Sequence, residues 1–234
     1  MPHFDIIREN TPAKSFRVES VLGTFDLNSE KVTEHFVGDI DLPKEWNIGL
    51  IVGRSGSGKT TIARELFGKY MVDKFDYTHD NILDDMPTDV TMREITMALN
   101  SVGFSSPPSW LKPYSALSNG EKMRCDIARA ILESKEMFVF DEFTSVVDRN
   151  VARISSFAVQ KAIRRNKKRF IAVSCHSDIK DWLMPDWVFD TDKMQFSLID
   201  AETQKKIDQP LTSKSEKLGG AKMKYGDYLQ NIII

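Results

Sequence analysis

The segment Gly53-Arg-Ser-Gly-Ser-Gly-Lys-Thr-Thr61 constrains this chain more than any other, because it satisfies G-x-x-x-x-G-K-[ST] in the one context where that pattern has a mechanism. Trp46-Asn-Ile-Gly-Leu-Ile-Val52 precedes it, a short apolar run that reads as a buried strand, and the residues after it predict a helix over Thr60–Lys69. Gly53, Gly56 and Gly58 let the backbone turn tightly, so that consecutive N–H groups of the loop point inward where the helix presents its positive end. The loop, with Ser55, Ser57 and Thr61 beside those glycines, is therefore the expected phosphate cradle. Lys59 is expected to reach the β- and γ-phosphates of ATP, and the Thr60 hydroxyl to ligate Mg²⁺, which prefers oxygen donors. The bland alternative is a glycine-rich turn that binds nothing; a strand before the loop and a helix after it argue against that reading.

A second apolar run, Met137-Phe-Val-Phe-Asp-Glu142, ends in adjacent carboxylates. Ligands of a parallel sheet bind at the carboxyl ends of its strands, which is where this pair falls. Asp141 is expected to hold Mg²⁺ through water, and Glu142 to polarise the attacking water as general base. Between the two motifs lies Leu117-Ser-Asn-Gly-Glu-Lys-Met-Arg124, which alone would be an ordinary helix start.

In this order the motifs resemble those of the ABC class of ATPases, and further segments match along Phe16 to Asp200. Ser118-Asn-Gly-Glu121 is similar to the family's signature, usually Ser-Gly-Gly-Gln. Ser145-Val-Val-Asp148 resembles the loop after the catalytic glutamate. Ile171-Ala-Val-Ser-Cys-His176 resembles the strand that ends in the family's switch histidine, which bonds the γ-phosphate and the attacking water. The resemblance implies a nucleotide-sandwich homodimer formed with ATP, in which Ser118, Asn119, Gly120 and Asp148 of one chain complete the other's site. Phe25 lies where these proteins set an aromatic ring against adenine; a strand residue filling core space is the equal alternative. Two departures weigh against a transporter subunit and for a soluble ATPase: the segment before the signature is short, and Asp84, after an expected strand ending in Asn81–Leu83, stands where a glutamine would contact the membrane partner. Asp84 either takes part in Mg²⁺ or water positioning or belongs to an ordinary turn. A transporter's nucleotide-binding subunit and a slow ATP-dependent binding switch remain the alternatives. Trp110–Tyr114, Asp141–Arg149 and His176–Trp187 also resemble ABC-type ATPases of phage and prophage regions, some of them joined to an acetyltransferase-like domain, which implies action on DNA or on a nucleic-acid-modifying partner.

The expected fold is α/β: a P-loop NTPase with a mainly parallel sheet, an N-terminal antiparallel β portion made of short strands and turns over Phe16–Asp41, and a short helical insert at about 85–125. Helices are expected over Val90–Val102, Glu121–Ser134 and Val151–Arg165, and strands over Met137–Asp141, Phe170–Ser174, Trp187–Phe189 and Gln195–Ile199. Residues 1–200 form the expected ATPase domain, and 201–234 a polar, lysine-rich tail with an apolar end. A chain of 234 residues buries one large core. No stretch approaches the roughly 20 apolar residues of a membrane span, the start lacks a secretory pattern, and Cys125 and Cys175 are the only cysteines. A cytoplasmic protein without membrane insertion is expected. A net charge of −2 gives no general push toward nucleic acid. The local run Arg164-Arg-Asn-Lys-Lys-Arg169 reads first as cations at a helix C-terminus, with a phosphate-backbone contact as the sharper alternative; a protein or nucleic-acid partner is left open.

Overall fold

The computed structural model describes residues 3–11, 13–26, 32–72 and 74–199; the tail expected over 201–234 lies outside them. Strands β1 (His3–Asn10) and β2 (Val32–Asp39) pair antiparallel, in register from His3–Asp39 to Asn10–Val32. Between them runs helix α1 (Phe16–Thr24), where short strands and turns are expected from the sequence. Ser15 starts it: its hydroxyl accepts from the Val18 N–H, the usual N-cap bond. Val18, Val21, Leu22 and the C-cap Phe25 fall at helical spacing, although no residue of the helix is buried.

The central sheet contains β3 (Ile48–Val52), β4 (Met137–Phe140), β5 (Arg169–Ser174), β6 (Trp187–Asp190) and β7 (Gln195–Leu198), in the order β4-β5-β3-β6-β7. All neighbours are parallel except β6 and β7. Side chains alternate between its faces, as the pleat requires. Leu50, Phe138, Phe170, Ala172 and Val188 enter one core, whereas Ile51, Val139, Ile171, Val173 and Phe189 enter the other. Helix α2 (Lys59–Phe67) covers the second face with Ile62, Ala63 and Phe67, and the β1–β2 pair joins it there through Phe4 and Phe36. The Phe4 ring meets Phe189 edge-on at 5.7 Å. The first face is covered by α3 (Met92–Ser101), α4 (Pro107–Trp110), α5 (Asn119–Glu133), α6 (Arg149–Arg165) and α7 (Lys180–Leu183). Thr91 and Glu94 close a capping box at the start of α3. No helix among the described residues is long and apolar enough to cross a membrane.

The strand expected to end at Asn81–Leu83 is not formed; those residues bend into a turn at Asp84. The sheet is instead extended beyond β4 by one parallel bridge, Met71 to Val139, with the Val72 N–H donating to the Val139 carbonyl at 2.9 Å. Ile82 is buried in the core, and its N–H meets the carbonyls of Trp110 and Lys112, a long-range contact that three residues of local sequence do not encode. The basic run has largely internal partners. Arg164 pairs with Asp186 at 3.0 Å and bonds the Met184 carbonyl at 2.7 Å. Lys168 donates to the carbonyls of Ile131 and Ser134 at the end of α5, and Arg169 lies over the Trp46 ring at 5.4 Å. The carbonyls that Arg164 and Lys168 meet belong to the C-terminal ends of α7 and α5, neighbouring helices and not the one the run itself closes.

Candidate functional site at the strand ends

Three neighbouring parallel strands deliver the predicted residues to one end of the sheet. β3 runs into Gly53, β4 into Asp141 and β5 into Cys175-His176, with Val52 beside Ser174 and Phe140 beside Ala172. Helix α2 begins at Lys59, one residue before the expected start, and its N-cap is Gly58 in the left-handed region (φ 84°). A Cβ there would lie 2.4 Å from the Phe36 ring, so both the turn and the approach of β2 require glycine. No side chain caps α2, which leaves its first N–H groups directed into the loop, where an anion is stabilised. Lys59 is buried, and its ammonium donates to the Arg54 carbonyl at 2.6 Å, reaching back across the loop. An ammonium has three donors, so this bond leaves others for phosphate oxygens.

The Thr60 hydroxyl donates to Asp141 Oδ1 at 3.3 Å across 81 positions of sequence. The same oxygen accepts the Glu142 N–H at 2.9 Å. These are hard oxygen donors, and they fit Mg²⁺ better than a softer metal. Beyond β4 the backbone enters the left-handed region at Glu142 (φ 55°) and Thr144 (φ 65°), with Phe143 fully buried between them and bonded to the Val173 carbonyl. A β-branched residue there costs on the order of 1–3 kcal/mol, and such strain collects at functional sites. The Glu142 side chain is exposed next to Asp141 in sequence.

Ser118 caps α5, which starts at Asn119 and not at Glu121: its hydroxyl accepts from the Glu121 N–H, and the Glu121 carboxylate accepts from the Ser118 N–H at 2.9 Å. Asp148 caps α6, which starts at Arg149 and not Val151, by accepting from the N–H groups of Asn150 and Val151 at 2.9 and 3.1 Å. The two helix starts touch, since a Cβ on Gly120 would lie 3.2 Å from Val151. Gly120 thus lies against the start of α6, while Ser118 and Asp148 engage their own helices. A cavity of about 510 Å³, lined by Asn119, Lys122, Asp126, Asp141 and Glu142 among others, separates the first turns of α5 from the end of β4.

His176 is half-buried at the end of β5, with its N–H on the Ser174 hydroxyl at 3.2 Å. Asp178, two residues on, is held by Arg149, whose guanidinium keeps its carboxyl below the usual range. Phe25 is the C-cap of α1 and 67% exposed, so it is neither in a strand nor part of the core. Asp84 is exposed in a reciprocal pair with Asn81: the Asn81 amide donates to its carboxylate at 2.6 Å, and the Asp84 N–H to Asn81 Oδ1 at 3.0 Å. Such reciprocal bonds are those of an Asx turn. Among the described residues no group of three or more His, Cys, Asp or Glu is arranged around a metal position. Cys125 is buried, which pushes its thiol up to about 12, whereas Cys175 is exposed.

Two arrangements are not anticipated by the sequence. Thr191 and Asp192, at the β6–β7 turn, bond directly to the glycine loop. Tyr77 and Tyr114 stack in parallel at 3.9 Å, and both hydroxyls donate to Asp126 at 2.8 and 2.7 Å. Neither carries a local motif; only tertiary contact reveals them.

No family model matches the chain. It is 31% identical over 132 residues to mRNA export factor elf1 of Schizosaccharomyces pombe, covering 46% of this chain and 12% of that protein. Over 158 residues it is 27% identical to a probable multidrug resistance ABC transporter ATP-binding/permease protein of Bacillus subtilis, covering 50% of this chain and 26% of that one. The chain therefore spans about an eighth and a quarter of the lengths of these curated relatives. Its fold is similar to that of an ATP-binding cassette solved as a dimer in a post-hydrolysis state with ADP and Pi: TM-score 0.55 and 12% identity, over 72% of this chain and 93% of that one. The α/β P-loop fold of ABC cassettes is the fold of this chain.

Proposed function

We propose that this chain is an ABC-class ATPase that binds Mg-ATP on the Gly53–Thr61 loop, encloses it between two copies and hydrolyses it to open the pair. The observation that carries the reading is the Thr60–Asp141 hydrogen bond with Glu142 next in sequence. It joins the loop that would hold the phosphates to the carboxylates that would act on them. The glycine loop and the α2 N-terminus bind the phosphates, and Lys59 neutralises their charge. Bound at Thr60 and Asp141, Mg²⁺ supplies charge neutralisation to the phosphates. Glu142 takes a proton from the attacking water, and His176 at the end of the neighbouring strand orients that water and senses the γ-phosphate. Ser118, Asn119, Gly120 and Asp148 complete the partner's site; their own chain leaves them at touching helix starts, a surface suited to a second copy.

A membrane transporter's nucleotide-binding subunit is the second reading, brought by the likeness to the Bacillus protein. The short helical insert and the Asp84–Asn81 turn favour a soluble switch acting on a protein or nucleic-acid partner. The internal partners of Arg164, Lys168 and Arg169 lend no support to the nucleic-acid choice.

Mg²⁺ titration of ATPase activity tests the carrying observation. Asp141→Asn is expected to raise the Mg²⁺ needed for half-maximal activity by about 10–100-fold, the effect of losing an outer-shell carboxylate. An unchanged requirement removes Asp141 from the metal site. For the base, an exposed Phe25 is free to stack. Phe25→Ala is expected to weaken ATP binding by about 1 kcal/mol and Phe25→Tyr to preserve it, with both unfolding like wild type. Equal affinity in all three proteins moves adenine elsewhere.

A further inference from the structure

We infer that the β6–β7 turn is a clamp on the phosphate loop, with Thr191 and Asp192 as positioning residues for nucleotide binding; the inference rests on the ATP-binding reading above. Thr191 is 3% exposed. Its N–H donates to the Val52 carbonyl at 2.8 Å, and its hydroxyl donates to the same oxygen at 3.2 Å. With that hydrogen committed, the 2.5 Å contact between Thr191 Oγ1 and Ser57 Oγ is a bond donated by Ser57. One hydroxyl thus ties the last residue of β3 to the residue just before Gly58. Asp192 holds the opposite arm, accepting from the Arg54 N–H at 3.0 Å and from Arg54 Nε at 3.2 Å. The Arg54 carbonyl in turn takes the Lys59 ammonium, so the residue is held at both its N–H and its C=O.

The turn is itself braced for this task. Asp190 Oδ1 accepts from the N–H groups of Asp192 and Lys193 at 3.0 and 3.2 Å, which fixes the direction in which Thr191 and Asp192 point. Gly53 records how close the two loops are: a Cβ there would lie 2.1 Å from Thr191 Oγ1 and 3.3 Å from the Asp192 nitrogen. The first glycine of the phosphate motif is thus required by the clamp as well as by its own turn.

A loop with three glycines loses much conformational freedom when its N–H groups converge on phosphate. If the clamp has already restricted it, that cost is met in folding and not on binding. Once phosphate is bound it restrains the loop by itself, so losing the clamp weakens binding and leaves turnover at saturation nearly unchanged. Asp192 adds a sign of its own. Its carboxylate lies near the phosphate cradle, where negative charge is unfavourable, and the Arg54 N–H and guanidinium that it holds offset this.

Titration of the full chain with Mg-ATP and Mg-ADP, together with steady-state kinetics, tests this. Thr191→Val keeps the shape and the backbone bond but removes both hydroxyl bonds. It is expected to weaken ATP and ADP alike by about fivefold to tenfold, with KM rising in step and kcat within about twofold of wild type. Thr191→Ser is expected to restore affinity. Should Thr191→Val not fold, the Asp192 pair decides: Asp192→Asn keeps an acceptor for the Arg54 N–H and is expected to bind tighter than Asp192→Ala. Wild-type affinity in Thr191→Val, equal weakness in Thr191→Ser, or Asp192→Ala binding as tightly as Asp192→Asn overturns the clamp. Lys59→Ala separates the two failures. If it binds nucleotide normally, the ATP reading itself falls; if it loses binding while Thr191→Val keeps it, only the clamp does.

Discussion

Glu142→Gln is expected to bind ATP as wild type does, to accumulate as an ATP-bound dimer, and to turn over about 10²-fold more slowly or worse, the loss that follows removal of a positioned general base. The substitution is nearly isosteric, and the carboxylate it removes is exposed. The bond that fixes this residue's backbone, from its N–H to Asp141 Oδ1, is kept by glutamine. Glutamine also tolerates the left-handed φ of 55° no worse than glutamate. The phosphate loop and the Thr60–Asp141 bond are therefore intact in the variant, and binding is separated from chemistry. Single-turnover hydrolysis and size-exclusion with light scattering, with and without ATP, are the measurements. Hydrolysis at the wild-type rate in a highly purified preparation would move the base to another residue. His176, at the end of the adjacent strand, would be the first to examine.

The phosphate loop was legible because strand, glycine turn and helix each leave a local mark: an uninterrupted apolar run, residues that permit positive φ, and a helix start. The same holds for β4 and its carboxylates. Three helices begin one to two residues earlier than the sequence predicts, at Lys59, Asn119 and Arg149. In each case the residue just before the helix, Gly58, Ser118 or Asp148, is both a candidate site residue and the cap. Ser118 with Glu121 is both at once, a capping box inside the signature. What stayed hidden has no local mark. Ile82 bonds carbonyls about 30 residues away, and Thr191, an ordinary turn residue by composition, gains its place only when β6 lies beside β3.

Mixing two inactive variants is expected to restore activity, because each site would draw on both chains. Lys59→Ala removes the phosphate cation. Ser118→Arg puts a long cation at the start of α5, where the partner's nucleotide would sit, and also removes the cap hydroxyl, at a cost of about 1 kcal/mol of helix stability. Each is expected to be inactive as a homodimer. In the heterodimer of an isologous pair, one site combines both defects and the other joins an intact loop to an intact signature. If chains exchange freely and the sites act independently, activity returns to about a quarter of wild type at most, half the pairs being mixed and each of these having one working site. Thermal unfolding of both variants comes first, since the lost cap must leave Ser118→Arg folded. Strong coupling between sites would suppress the recovery without abolishing association, so ATP-dependent dimerisation of the mixture is followed by light scattering. Folded variants that give neither recovered turnover nor ATP-dependent association would make this a monomeric P-loop protein, with Ser118 and Asp148 as nothing more than the caps of α5 and α6.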